Sequence, residues 1–171
     1  MAATDIYADR ALKLCGELLE SGFSPFFGTP CGILAPLYRQ LELRASLRTI
    51  AREDNAVGVA AGAAMAGQCP AILMQNSGLG QSVNAIASLV VPYGIPILLI
   101  VSMRGVAPDS TTENIVMGRI TEPLLNSSGI PTAMLDEDNT AEQVHWARNL
   151  VAEHREPAAL LVPPTLFGWQ P

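Results

Sequence analysis

From Ile95 to Ser102 the chain reads Ile-Pro-Ile-Leu-Leu-Ile-Val-Ser, with almost no polar alternation. A strand with one wet face shows a period of two, so a run this uniformly apolar needs cover on both faces. Ala71–Gln75 and Ala158–Val162 are short apolar runs of the same kind. Between the strand-like segments lie stretches with helical character, and strands alternating with helices imply a parallel sheet with right-handed crossovers. The spacing predicts helices over 5–20, 33–40, 54–66, about 80–90, 116–127 and 139–153. It predicts strands over 23–27, 47–51, 71–75, 95–102, 132–135 and 158–162. Thr4 and Asn139 are the expected N-caps of the first and last helices. The fold class is therefore α/β, a six-stranded parallel sheet with helices on both faces.

No repeat, low-complexity tract or linker divides the 171 residues, so 1–171 reads as a single domain. At 49% hydrophobic and 15% charged the chain is too apolar for disorder. A positive mean hydropathy has two readings: a well-filled interior, or a surface covered by another subunit. We favour the second. The net charge of −6 argues against nucleic acid or an anionic membrane surface as partner. The apolar stretch Ala85–Val101 is broken by Pro92, Gly94 and Pro96, which speaks against a membrane span, and no secretory signal is recognisable. Cys15, Cys31 and Cys69 are odd in number and widely spaced, which fits neither a disulfide framework nor a zinc site and points to a reducing cytoplasm.

Parallel sheets place ligands at the carboxyl ends of their strands. Four loops there are candidates: Gly28–Gly32, Ala51–Asp54, Asn76–Gly80 and Ser102–Gly105, with Arg104–Asn114 read as an active-site loop. Gly78-Leu79-Gly80 invites a dinucleotide-binding reading, but Val83 stands where a third small residue belongs and no acid follows at the expected distance. There is no Walker loop and no HExxH, and His145 and His154 sit near the last helix, where they read as solvated. No cysteine, serine and histidine grouping supports a nucleophilic hydrolase. Glu53 lies between a buried strand and an apolar helix. On spacing alone Glu53 and Asp54 read equally as acids at a helix start, where the dipole favours them.

The runs REDNAVGVAAGAAMAG, MQNSGLGQSVNAIASL and PILLIVSMRG, with GTPCGIL before them and MGRITEPLLNSSGIP after, cover nearly the whole chain. Together they resemble the pyrimidine-binding domain of thiamin-diphosphate decarboxylases, in particular the sulfopyruvate and phosphonopyruvate decarboxylases. The resemblance implies that Glu53 is catalytic, sharing a proton with N1′ of the cofactor's aminopyrimidine ring. It implies that Gln75, Asn76, Ser77, Gly78 and Leu79 form the cofactor loop with Glu53, and that Pro30, Cys31 and Gly32 form a substrate loop. The implied reaction is decarboxylation of a small anionic 2-oxo acid to an aldehyde, sulfopyruvate first and phosphonopyruvate as the alternative. A non-catalytic module with the same fold is the rival of another class. Arg104 is the local choice for an anionic tail, because guanidinium matches sulfonate or phosphonate oxygens, with Arg119 second; the plain alternative for Arg104 is a surface salt bridge. Arg52 stands where some relatives carry histidine, so a proton relay has to come from elsewhere. The family's GDG and paired asparagines, which hold diphosphate and Mg2+, have no counterpart here. The resemblance thus implies that thiamin diphosphate is shared with a pyrophosphate-binding beta subunit that also holds the Mg2+, in an alpha2beta2 or larger assembly.

Overall fold

A computed structural model of the chain describes residues 3–170. Six strands form one sheet: β1 (Phe26–Gly28), β2 (Leu47–Thr49), β3 (Ala71–Gln75), β4 (Leu98–Ser102), β5 (Thr132–Met134) and β6 (Ala158–Val162). Their order is β2-β1-β3-β4-β6-β5 and every neighbouring pair is parallel. The helices are α1 (Ala3–Glu20), α2 (Ala35–Arg44), α3 (Glu53–Met65), α4 (Asn76–Ala85), α5 (Thr112–Ser127) and α6 (Thr140–Arg148). π-helical turns prolong α4 over Ile86–Val90 and α6 over Asn149–His154.

The core lies in two layers. One packs α1, α2 and α6 on the sheet through Leu14, Leu18, Leu37, Leu41 and Val144. The other packs α3, α4 and α5 on the opposite face through Ala56, Val57, Ala60, Leu79 and Leu125. Leu98, Leu99, Ile100 and Val101 of β4 are all fully buried, as the uniform apolar run requires. Each such side chain contributes roughly 1.5–3 kcal/mol. The edge strands β2 and β5 are only three residues long and have no fully buried residue, and their shortness limits their use as pairing templates.

Several expected boundaries shift for local reasons. The first strand starts at Phe26, because Ser24 pairs instead with Cys69 in an isolated antiparallel bridge and Pro25 has no N–H to give the ladder. α1 begins at Ala3, which places Thr4 in its first turn rather than at its N-cap. Asn76–Gly80 is the opening turn of α4, not a loop. Asn139 occupies the N-cap position of α6 as expected, but its side chain makes no capping bond; its Nδ2 donates to Asp136, whose carboxylate also accepts the N–H groups of Asp138 and Asn139. Those bonds, Asn139's first, hold the Asp136 carboxyl below its ordinary range.

The strand order reverses at β1 and β3, because β2 lies to one side of β1 and everything later lies to the other. In such sheets the crevice outside the strand ends at that reversal is the ligand position. Gly28 closes β1 at this point. A Cβ there would come 2.8 Å from the Leu73 carbonyl oxygen and collide with the Tyr38 hydroxyl. Its absence lets Tyr38 reach across the strand end and donate to the Thr29 carbonyl at 2.7 Å. Burial pushes the Tyr38 phenol far up, with smaller contributions from Cys31 and Glu53, so it remains a donor. Tyr38→Phe should cost about 1 kcal/mol, the worth of that bond, as a lowered urea midpoint at unchanged slope.

Candidate active site

Glu53 is the first residue of α3, reached through an extended Arg52 (φ −143°, ψ 140°). The two acids at this helix start behave differently. Asp54 is consumed locally: its carboxylate takes Arg52 Nη2 at 2.9 Å and the Asn55 N–H at 2.9 Å. The Arg52 bond holds the Asp54 carboxyl below its ordinary range. Among the described residues the Glu53 side chain makes no ion pair and no hydrogen bond. It is partly exposed and lies against Gly78, where a Cβ would come within 2.5 Å of Glu53 Cδ and Oε1. The space that Gly78 leaves open is therefore filled by this carboxyl arm. Gly78→Ala should displace Glu53 and lower turnover by about ten- to a hundred-fold, since misplacement of this order costs that much. Thermal unfolding should change little, because the arm is flexible and can swing outward.

The loop Pro30–Gly32, expected to meet substrate, joins the same rim. Cys31 Sγ sits 3.1 Å from Ser102 Oγ and 3.8 Å from Gln75 Oε1, and Gln75 Nε2 donates to Ser77 Oγ at 2.7 Å. The ends of β3 and β4 and the loop after β1 are thus tied together by side chains. Pro30 and Gly32 flank Cys31, and a Cβ on Gly32 would lie 3.8 Å from Trp169 Nε1. The residues expected to form a cofactor loop divide. Gln75 and Ser77 reach the surface, whereas Leu79 is fully buried in the core and Asn76 is fully buried and occupied. Asn76 Nδ2 donates to the Arg104 carbonyl at 2.9 Å, and Asn76 Oδ1 accepts the Arg104 N–H at 3.3 Å.

Arg104 is fixed rather than free. Its Nε donates to Asp109 Oδ2 at 2.5 Å, its Nη2 donates to Thr111 Oγ1 at 3.2 Å, and its guanidinium lies 4.5 Å from the Trp169 ring. The Asp109 side chain is completely buried. It also accepts the Gly105 N–H at 2.9 Å, the Thr111 N–H at 3.1 Å and the Thr111 hydroxyl. The salt bridge weighed as the plain alternative for Arg104 is present, but with Asp109 buried it is the centre of the loop from Arg104 to Thr111, and α5 takes over at Thr112. Gly105 holds a φ of 75° and packs on Asn114, and Gly118 leaves room for the Gly105 carbonyl, so the loop is pressed onto α5. Arg119 is exposed on α5 and forms no ion pair among the described residues.

Arg104 first, and then the Thr111 and Gly105 donors, hold the Asp109 carboxyl well below the usual carboxylate range. A group with a depressed folded value contributes stability above its unfolded value and loses it as pH falls through the folded one. The loop should therefore stay knotted down to about pH 4 and loosen only below it. Trp169 fluorescence followed from pH 7 to 3 checks this; a transition near pH 6 would contradict it.

Sequence reasoning placed Ser102 and Asp109 inside candidate loops without singling them out, and it missed Tyr38 and Trp169. Four recesses of 210–460 Å³ on the chain are lined without Glu53, Gln75, Cys31 or Arg104. Among the described residues no group of three His, Cys, Asp or Glu side chains is placed to hold a metal ion. No described helix is long and apolar enough to cross a membrane.

No family model matches the chain. It is 38% identical over 154 residues to sulfopyruvate decarboxylase subunit alpha of Methanocaldococcus jannaschii, covering 88% of this chain and 91% of that one. The subunit of the same name in Methanococcus maripaludis is 41% identical over 116 residues, 67% of this chain and 70% of that one. Phosphonopyruvate decarboxylase of Streptomyces viridochromogenes is 31% identical over 169 residues, which is 94% of this chain but only 42% of that longer one. Among solved structures, 2-oxoglutarate:ferredoxin oxidoreductase from Magnetococcus marinus superimposes with a TM-score of 0.72 at 15% identity, over 93% of this chain and 29% of that one. That likeness speaks for a common fold, while the identities and coverage above show that the chain belongs to the sulfopyruvate decarboxylase alpha-subunit family.

Proposed function

We propose that this chain is the pyrimidine-binding subunit of a two-subunit, thiamin-diphosphate-dependent decarboxylase that converts sulfopyruvate to sulfoacetaldehyde and carbon dioxide. The observation that carries the reading is the Glu53 carboxyl, without a partner among the described residues and seated against Gly78 beside the reversal of strand order. An acid left free at a helix start, while its neighbour is fully paired, suits a heterocycle nitrogen as its missing partner. The residues therefore fit the cofactor: Glu53 would share a proton with the aminopyrimidine, with Gln75, Ser77 and Gly78 beside it. When bound, thiamin diphosphate supplies the carbanion chemistry that releases carbon dioxide from the 2-oxo acid.

Glu53 holds the shared proton and orients the ring. Cys31 and Ser102 line the substrate side with Pro30 and Gly32. Arg104, held in place by Asp109 and backed by Trp169, faces the anionic tail with what its guanidinium has left to donate. Because Arg104 is already committed, Arg119 remains the second candidate. The diphosphate and its Mg2+ would be held by a pyrophosphate-binding beta subunit in an alpha2beta2 or larger assembly. Relatives named subunit alpha, 70–91% of whose length this chain covers, support a partner chain. The three free cysteines suit a cytoplasmic setting.

A second substrate, phosphonopyruvate, is favoured by the 31% identity that runs along 94% of the chain to a phosphonopyruvate decarboxylase. Co-expression with the beta subunit, followed by assay of thiamin-dependent aldehyde release from each acid, decides between them. No release from either acid would overturn the reading and leave a non-catalytic module.

A further inference from the structure

At the opposite end of the sheet from Glu53, the amino ends of β3, β4 and β6 frame a recess of 210 Å³. Gln68 and Cys69 line it ahead of β3, Pro96 ahead of β4, and Arg148 and Arg155 from the end of α6 and the turns that lead to β6. No Asp or Glu is part of this lining. Among the described residues neither arginine forms an ion pair, although Glu153 and Glu156 flank Arg155 in sequence. Acids outnumber Lys and Arg by 16 to 10 along the chain, so the two guanidinium groups are not left bare for want of carboxylates. Cys69 is no counter-ion either, because burial pushes its thiol up and outweighs the opposing pull of Arg148.

Each arginine bears a mark of its own. Arg148 spends Nε on the Ser21 carbonyl at 2.6 Å, yet its Nη1 is buried and has no hydrogen-bond partner among the described residues. A charged donor taken out of water without an acceptor is costly, and buried polar groups in native proteins are almost always satisfied. Arg155 is the one described residue other than glycine with a positive φ, at 57°. Glycine or asparagine is the usual residue where a helix ends in the left-handed region. A long cationic side chain held there against its backbone preference points to a use for the side chain itself.

We propose that this recess binds a small oxyanion, held between the guanidinium groups of Arg148 and Arg155 with Gln68 beside them. Guanidinium meets sulfate, phosphate or sulfonate oxygens in paired hydrogen bonds, and a tetrahedral ion offers an edge to each of two forks. The 210 Å³ recess is smaller than the roughly 300–1,000 Å³ of pockets for larger organic ligands, so the ion is free or carries only a short tail. It ties the turn after α3 to the turns after α6. The site lies at the other strand ends from Glu53 and Arg104, and it does not depend on the decarboxylase reading.

The test titrates sulfate, phosphate and methanesulfonate into the full-length, isotope-labelled chain, with ionic strength held constant by chloride. The amides of Gly67, Gln68, Cys69, Ala152 and Arg155 should shift together and saturate. The melting midpoint should rise by about 3–6 °C at a tenfold excess of ion over its Kd. Saturation by methanesulfonate as tight as by sulfate assigns an organic sulfonate as the ligand; saturation by the inorganic ions alone assigns the free ion. Arg155→Gly removes the cation and suits the left-handed backbone, so it should fold like the parent. It should nonetheless weaken binding by about tenfold or more, the worth of a charged hydrogen bond, and Arg148→Gln should do the same. Shifts that do not saturate with any of the three ions overturn the proposal. So do saturable shifts confined to the rim around Arg104, or parental affinity in Arg155→Gly.

Discussion

Glu53→Gln in the assembled enzyme should lower kcat by about 100- to 10,000-fold, the range for losing a positioned proton-transfer group. The amide keeps the size and shape of the carboxyl, so it still fits against Gly78 and leaves the start of α3 intact. It can hydrogen-bond a ring nitrogen but cannot share a proton with it. Assembly with the beta subunit and thermal stability should be those of the parent, which separates lost chemistry from lost structure. Steady-state aldehyde release from sulfopyruvate is the measurement, and a variant retaining more than a tenth of parental kcat would be incompatible with Glu53 as the proton partner.

Asp109→Ala should have the largest effect on stability, roughly 1–3 kcal/mol, the cost of leaving loop donors without their buried acceptor while Arg104 keeps some contact with solvent. The side chain is fully buried and collects Arg104, Gly105 and Thr111 around one carboxylate. Removing it leaves the Arg104 guanidinium with only Thr111 and Trp169, and frees two loop N–H groups with no replacement acceptor. A lower urea midpoint, with faster hydrogen exchange confined first to residues 104–114, is the expected signature. A midpoint within 0.5 kcal/mol of the parent, by the usual surface-substitution yardstick, would show that the knot is dispensable.

The sheet was legible because its central strands are unambiguous: β3 and β6 lie where the apolar runs place them, and β4 is buried on both faces. The ends were harder. Asn76-Ser77-Gly78 is already helical, and Asn76 there bonds the Arg104 backbone just past the neighbouring strand, a contact that no local pattern announces. The rim loops were legible as a group, since topology alone sends Cys31, Glu53, Gln75 and Arg104 to the same edge. What each side chain does there was not. Glu53 and Asp54 are adjacent acids that the helix dipole favours alike, and only the position of Arg52 and Gly78 shows which is spent and which is free. Asp109 was one unremarked residue of the 104–114 segment, and its role depends on donors from Arg104, Gly105, Thr111 and Asn114 converging in three dimensions. Trp169 lies far along the chain from Arg104, and a contact of that separation leaves no trace in one sequence.

The two Asn76 bonds to the Arg104 backbone have a mechanical consequence. They lock the end of one central strand to the end of the next, so Gln75 and Arg104 travel as one piece, and the Asp109 knot stiffens that piece further. This side of the mouth is a fixed jaw. Whatever clamps down on a bound molecule must do so from across the gap.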